Sequence, residues 1–387
     1  MKAEIQRRRL NPAPRAWDLL SIALSVVTAD FAARRDQSPD GWTREIEIDI
    51  AVADAPFWSG QAAALAEALA FLTTDRWTLR FHEGGFLPTP PRETVRPTDD
   101  CVVLLSGGLD SLVGAIDLAA KGRKPFAISQ TVRGDADKQV DFAAKIGSGL
   151  VHLQLNHNAN TPGIQETSQR ARSLIFITFG VLAATALKAY HDGQEVPLFV
   201  CENGFIAINP PLTGGRLGSL STRTAHPEFF ARLQDVLDAA GVRVKLTNPY
   251  ATKTKGEMLK ACADQTLLRT EAARSTSCGR FQRFNYHQCG RCVPCQVRRA
   301  AFLAWGTVPD ATDYVYKPIG KDDAEHAGFD DVRSVAIALA AVKADGIDSW
   351  LGHALASPFI QDRAALLGML ERGLGELRAL HQTYGVK

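Results

Sequence analysis

The sequence predicts an α/β protein: a doubly wound parallel sheet with an inserted four-cysteine zinc module, an N-terminal α+β domain and a C-terminal helical cap. Short apolar runs alternate with helical patterns between residues 100 and 246, as expected of strands buried on both faces and joined by crossover helices. A proline-dense stretch at 87–97 separates that alternation from what precedes it, because each proline removes a backbone donor and restricts its predecessor. Four cysteines crowd into residues 278–295.

Before the prolines, the pattern reads as an amphipathic helix at 16–33, strands at 43–51 and 77–81, and an Ala-rich helix at 59–72, with no catalytic motif. This gives an accessory domain at 1–95. The next domain, 96–310, alternates strand 101–105, helix 111–121, strand 125–130, helix 135–146, strand 150–155, a long helix at 165–190, strand 197–200, helix 227–240 and strand 242–246. Ligands of such sheets bind at the carboxyl ends of the strands. Residues 311–387 read as a helical extension, with helices at 330–343 and 358–380.

Composition is that of a globular chain: 45% hydrophobic and 22% charged residues. Lys plus Arg (44) nearly balance Asp plus Glu (42), which argues against nucleic acid as a direct substrate. Arg269, Arg274, Arg280, Arg283, Arg291, Arg298 and Arg299 form a local basic zone that reads either as a phosphate-holding surface or as a solvated face. The apolar stretch 17–27 is broken by Asp18 and falls short of the roughly 20 residues that span a bilayer. No signal peptide or membrane anchor is expected, and clustered cysteines suit metal binding in a reducing compartment, so the expected location is cytoplasmic.

Val102-Val103-Leu104-Leu105 followed by Ser106-Gly107-Gly108-Leu109-Asp110-Ser111 is a buried strand opening through a glycine turn into a helix. Paired glycines let backbone N–H groups face an anion, and the helix N-terminus adds partial positive charge. Ser106 and Ser111 can donate hydroxyl hydrogen bonds, and Asp110 can hold a divalent cation such as Mg2+ that bridges phosphates. The chain lacks the G-x4-G-K-[ST] motif of Walker-type hydrolysis. Gly214-Gly215-Arg216-Leu217-Gly218 lacks the strand-then-helix context of a dinucleotide fingerprint.

Cys278, Cys289, Cys292 and Cys295 have the spacing C-x10-C-x2-C-x2-C, which suits a closed tetrahedral zinc site with a structural role. An iron–sulfur cluster is the alternative left open. His287 reads as a neighbour of that site, and Cys101, Cys201 and Cys262 as small buried apolar residues.

The six-residue turn resembles the PP-loop signature SGGxDS of the ATP pyrophosphatases, which have a HUP-like Rossmannoid fold and cleave ATP between the α- and β-phosphates. Joined to the downstream cysteine module, it resembles the QueC family of 7-cyano-7-deazaguanine synthases over about residues 100–305. Gln169-Arg170-Ala171-Arg172-Ser173-Leu174-Ile175-Phe176 looks like that family's PGRN-x2-F helix start, and Thr252-Lys253-Thr254-Lys255-Gly256-Glu257-Met258 like its KTKAEI segment. Segments 202–213 and 219–227 are similar to the QueC-like proteins of antiphage defence operons, the QatC kind.

The resemblance implies an AMP-forming ligase that uses ATP, Mg2+ and structural Zn2+ to adenylate the carboxylate of 7-carboxy-7-deazaguanine for attack by an amine. In the defence branch that amine belongs to a partner protein from the same operon; in the housekeeping branch it is ammonia. The implied ATP site is Ser106, Gly107, Gly108, Leu109, Asp110 and Ser111. The implied catalytic groups are Asp110, Arg172, Lys253 and Lys255, and the implied substrate contacts are Glu202, Asn203 and Arg223. Competing readings are a PP-loop tRNA-modifying enzyme and a zinc-stabilised, non-enzymatic binding subunit.

Overall fold

The structure, a computed structural model, describes residues 1–159, 161, 163–168, 170–213, 223–320, 331–352 and 354–386. Its main sheet has five parallel strands: β3 (Cys101–Leu104), β4 (Pro125–Gln130), β5 (His152–Leu155), β6 (Val196–Phe199) and β7 (Val244–Thr247). They lie in the order β5-β4-β3-β6-β7. The chain winds outward from β3 to one edge and then returns to build the other. The order therefore reverses between β3 and β6, and the loops leaving their carboxyl ends diverge into a crevice.

Side-chain alternation along β3 assigns two cores. Val102 and Leu104 face the helix Arg172–Ala186, together with Phe126, Ile128, Leu198 and Val196. Val103 and Leu105 face the helix Leu109–Ala120, together with Ala127 and Phe142. A strand buried on both faces needs an unbroken apolar run, and Cys101 to Leu105 supplies one with no residue above 3% exposure.

The N-terminal segment does not stand apart as the expected accessory domain. Its helix Pro14–Ala32 packs along Arg172–Ala186, and Trp17, Leu20 and Val27 share one core with β3 to β7. Its strands β1 (Glu45–Ala51) and β2 (Arg76–His82) pair parallel, joined by helices Ala55–Gly60 and Ala62–Thr73. The 87–97 stretch is irregular, as its prolines require.

The helix expected at 165–190 begins only at Arg172, because the N-terminal segment holds the preceding residues in another conformation. Glu166 donates its backbone N–H to the Phe31 carbonyl (2.9 Å), and Arg170 donates to the Thr73 carbonyl (2.8 Å). Asp30 accepts the Ala171 N–H at 3.0 Å, placing a carboxylate against the positive end of the helix that follows. Gln169, part of the expected helix-start motif, lies outside the described residues, as do 214–222 and 321–330.

Beneath this junction lies a buried ionic cluster. Asp75 accepts from Arg35 (2.7 and 2.8 Å) and Arg44 (2.5 Å), and Arg44 also reaches Asp30 (2.5 Å). Burial alone would raise the Asp75 carboxyl, but Arg44 and Arg35 hold it below its ordinary value. The helical extension comprises Asp331–Asp345, Ile347–Leu351 and Arg363–Thr383, the last packed on Val293–Trp305 and Gly204–Ile208.

Asp75→Ala leaves Arg35 without its carboxylate and Arg44 with one partner fewer. Urea unfolding of this variant is expected to show a loss of about 3–5 kcal/mol, whereas a loss below about 1 kcal/mol would mean that the cluster contributes no more than a surface pair.

Candidate nucleotide site and metal centre

The turn after β3 lies at the reversal point. Gly107 has φ of +86°, a conformation open to glycine at no steric cost, and a Cβ there would meet Asp135 at 3.2 Å. Gly108 caps the helix Leu109–Ala120, and a Cβ on it would press on Ser106 Oγ (3.1 Å) and the Thr276 carbonyl (3.2 Å). Ser111 Oγ donates to the Gly108 carbonyl (3.0 Å) and accepts the Ser106 N–H (3.2 Å), while Ser106 Oγ accepts the Gly108 N–H (3.2 Å). The turn is thus held shut by its own hydroxyls. The first-turn N–H groups of Leu109, Asp110 and Ser111 have no intrahelical acceptor, and donors so placed suit an anion.

Asp110 joins three loops. One carboxylate oxygen accepts from Lys255 Nζ; the other accepts from Asn203 through its side-chain amide (2.7 Å) and backbone N–H (3.2 Å). Lys255 is 5% exposed and Asn203 fully buried. Lys255 is the first residue of the helix Lys255–Ala261, which opens with a capping box: Thr254 Oγ1 accepts the Glu257 N–H (3.1 Å) and Glu257 accepts the Thr254 N–H (2.8 Å).

Three of the expected site residues, Asp110, Asn203 and Lys255, therefore converge on the Ser106–Ser111 turn. Asn203, expected to contact substrate, is also placed to orient Asp110. Its Oδ1 accepts the Ile206 N–H (3.0 Å) as a helix cap and its Nδ2 donates to Asp110, so both ends of the carboxamide are engaged. Glu202 is half-buried at the end of β6, its backbone laced to the Asn248 carboxamide (2.8 and 3.3 Å).

Among the described residues, the other expected ones make no hydrogen bond to Asp110, although the Arg172 charge faces Asp135, which packs against Gly107. The Lys253 side chain is exposed, and its carbonyl accepts the Gly204 N–H (2.9 Å). Arg172 is exposed at its helix start. Arg223 lies over the Phe71 ring (4.8 Å) and donates to the Phe71 carbonyl (3.2 Å), which leaves other donors of its guanidinium available. His226 caps the helix Pro227–Ala239 by accepting the Glu228 N–H (3.1 Å), and burial, aided by the Arg223 charge, pulls its pKa down to about 3.

The four expected metal ligands meet. All four sulfurs lie within 4.8 Å of one another, with Cys278–Cys292 and Cys289–Cys295 both at 3.9 Å. A single tetrahedral zinc with Zn–S of about 2.3 Å requires sulfurs about 3.8 Å apart, so the cluster fits one ion. Sulfurs bound to separate irons of a cluster stand farther apart than sulfurs sharing one ion. Backbone N–H groups of Arg280 and Cys289 point at Cys278 Sγ (both 3.4 Å), and those of Cys292 and Arg291 at Cys289 Sγ (3.3 and 3.5 Å), an arrangement that stabilises thiolates. His287 is exposed beside Asp313, outside the cluster. Burial pushes the Cys101 and Cys262 thiols up to about 12, and Cys201 upward as well, which leaves them inert.

The arginines around this module are largely structural, which corrects the phosphate-surface reading. Arg298 is fully buried and donates to the Ala272 carbonyl (2.6 Å) and to Thr312 (2.9 Å). Arg299 donates to the Lys317 carbonyl (2.5 Å), Arg291 to the Ile319 carbonyl (3.1 Å), and Arg274 pairs with Asp141 and Glu271.

One link went unread in the sequence. Thr276, just before the first cysteine, donates its N–H to the Gly107 carbonyl (3.0 Å), and its hydroxyl to Asp135 (2.7 Å), which pairs with Lys138 (2.5 Å). Nothing in its residue type announces this. The capping box T-K-G-E was legible and would have put Lys255 at a helix start.

Residues 224–306, which contain Lys255 and all four cysteines, match the family described as QueC, Queuosine biosynthesis protein QueC. Over those residues the chain is similar to that family. The 7-cyano-7-deazaguanine synthase of Rhizobium etli CFN 42 is 28% identical over 261 residues, covering 60% of this chain and 99% of that one. Those of Cupriavidus taiwanensis (26% over 239 residues; 56% and 98%) and Brucella suis (28% over 242 residues; 55% and 92%) are similar. Two-fifths or more of this chain therefore has no counterpart in these relatives. No solved structure matches the chain significantly. Among the described residues, no helix is long and apolar enough to cross a membrane.

Two outcomes are expected. Because His226 is depressed on folding, the folded state binds fewer protons, so its contribution is complete above pH 6.5 and declines as pH falls toward 3, at up to about 1.4 kcal/mol per pH unit. His226→Asn, which keeps a capping side chain, should flatten the fall of melting temperature between pH 6.5 and 4.5; an unchanged slope would contradict this. Purified protein should carry about one zinc per chain by elemental analysis, and Cys295→Ala should lose it together with binding of ATP, through the Thr276 link. Undiminished ATP binding in that variant would show the two sites to be uncoupled.

Proposed function

We propose that this chain is an ATP-dependent, AMP-forming enzyme of the QueC type that activates the carboxylate of 7-carboxy-7-deazaguanine for attack by an amine. The observation that carries it is the Ser106–Ser111 turn at the strand-order reversal, its Asp110 held by Lys255 from the QueC family domain.

In this reading the substrate carboxylate oxygen attacks the α-phosphorus, the bond to the β-phosphate oxygen breaks, and pyrophosphate leaves. The N–H groups at the start of Leu109–Ala120 receive the pyrophosphate end, with Ser106 and Ser111 fixing the turn. A magnesium ion would neutralise phosphate charge, and Asp110 is the residue to hold it: Lys255 and Asn203 supply three donors, leaving a lone pair of the carboxylate for the ion. Lys255 then shares its ammonium between Asp110 and the departing phosphates, and Arg172 and Lys253 are further cations for developing charge. Glu202 and Arg223 remain our candidates for contact with the deazaguanine, and zinc for the four-cysteine centre.

The amine then attacks the acyl carbon and AMP leaves. We assign the amine to a partner protein, as in antiphage defence; the segments absent from the synthases support this reading because they supply surface beyond that needed for ammonia.

Incubation with ATP, magnesium, 7-carboxy-7-deazaguanine and the proteins encoded beside this one, followed by mass spectrometry, tests the proposal. AMP release that requires the carboxylate, together with a mass gain on a protein, is the expected result. Free nitrile would move the acceptor to ammonia. Asp110→Asn should lower AMP formation roughly a hundredfold or more, and unchanged formation would defeat the site assignment.

A further inference from the structure

The C-terminal helix Arg363–Thr383 touches both loops that hold Asp110. On one side, Met369 and Gly373 pack where Gly204 and Phe205 follow Asn203: a Cβ on Gly204 would lie 3.0 Å from Met369 Cε, and one on Gly373 would lie 2.3 Å from the Phe205 ring. On the other side, Glu376 Oε1 accepts the Thr254 hydroxyl at 2.5 Å and lies against Gly256. Arg372 donates to Glu257 (2.5 Å) and to the Thr252 carbonyl (3.1 Å).

These contacts surround Lys255. Thr254 has a single hydroxyl proton, which goes to Glu376, while its lone pair takes the Glu257 N–H. Gly256 fits because a Cβ there would stand 2.4 Å from Glu376 Oε1. The residue before Lys255 is thus hydrogen-bonded to this carboxyl group and the residue after it is packed against it. Burial raises that carboxyl above its ordinary value, so a neutral amide of the same shape should replace it.

We propose that Glu376, seconded by Arg372, is a positioning residue that fixes the start of helix Lys255–Ala261 so that the Lys255 ammonium meets Asp110 beside the Ser106–Ser111 turn. The C-terminal helix is then part of the nucleotide site, although it lies outside the family match at 224–306. The significance for turnover rests on the function proposed above; the positional claim does not.

Lysine acetylation with a water-soluble ester, quantified peptide by peptide, reads the positional claim without any assay of activity. Lys255 is buried and paired, whereas Lys260 on the same helix is exposed and serves as reference. In Glu376→Ala the Lys255 labelling rate relative to Lys260 should rise several-fold with zinc content unchanged, and Glu376→Gln should restore the wild-type ratio. Arg372→Met, at a half-exposed position that tolerates substitution, should raise the ratio to a smaller extent. An unchanged ratio in both Glu376→Ala and Arg372→Met, or a rise shared by all lysines, would overturn the proposal. In turnover, Glu376→Ala should lower kcat roughly ten- to a hundredfold while the KM for ATP stays within a few-fold. If the wild type releases no AMP with any acceptor, the functional reading fails while the labelling ratio still decides the positional one.

Discussion

The carboxylate of Asp110 is the point on which the site depends. It lies on the first turn of the helix that follows β3, yet its two partners come from the loops after β6 and β7, on the other side of the strand-order reversal. A doubly wound sheet opens a crevice at that reversal, and something must hold its walls in register. Here a charged lysine and a buried carboxamide do so, in a setting where loss of either would leave a partly buried charge incompletely paired. Neither partner is idle: Asn203 also caps its own helix, and Lys255 starts another.

Contacts from several segments of the chain gather near this bond. The metal module reaches the turn from one side through Thr276, the C-terminal helix from another through Glu376, and the N-terminal segment fixes the start of Arg172–Ala186 through Asp30. Each of these supports comes from a different part of the chain. A preorganised site requires such reinforcement, since the displacement of one charged group by about 1 Å costs a catalyst dearly.

The sheet and the turn after β3 were legible in the sequence because the apolar runs are continuous and paired glycines follow them directly. The cysteine cluster was legible because four thiols at such spacing have one economical arrangement. What escaped was tertiary in origin. No periodicity distinguishes residues 165–171 from the helix they precede; contacts of Glu166, Arg170 and Ala171 with the N-terminal segment, Phe31, Thr73 and Asp30 among them, hold these residues out of it. The arginine cluster looked like a phosphate surface because composition cannot tell a solvated guanidinium from one donating to buried carbonyls, as Arg298 does. The N-terminal prolines marked a true irregular stretch, but a break in secondary structure is not a break in the core, and Trp17 and Val102 belong to the same one.

The most direct test of this arrangement is a crystal structure of the protein with a non-hydrolysable ATP analogue and magnesium. The account requires the β- and γ-phosphates against the N–H groups of Leu109, Asp110 and Ser111, with the ion on Asp110 and Lys255 Nζ within hydrogen-bond distance of a phosphate oxygen. A nucleotide bound away from the Ser106–Ser111 turn, with the Lys255–Asp110–Asn203 contacts undisturbed, would contradict it.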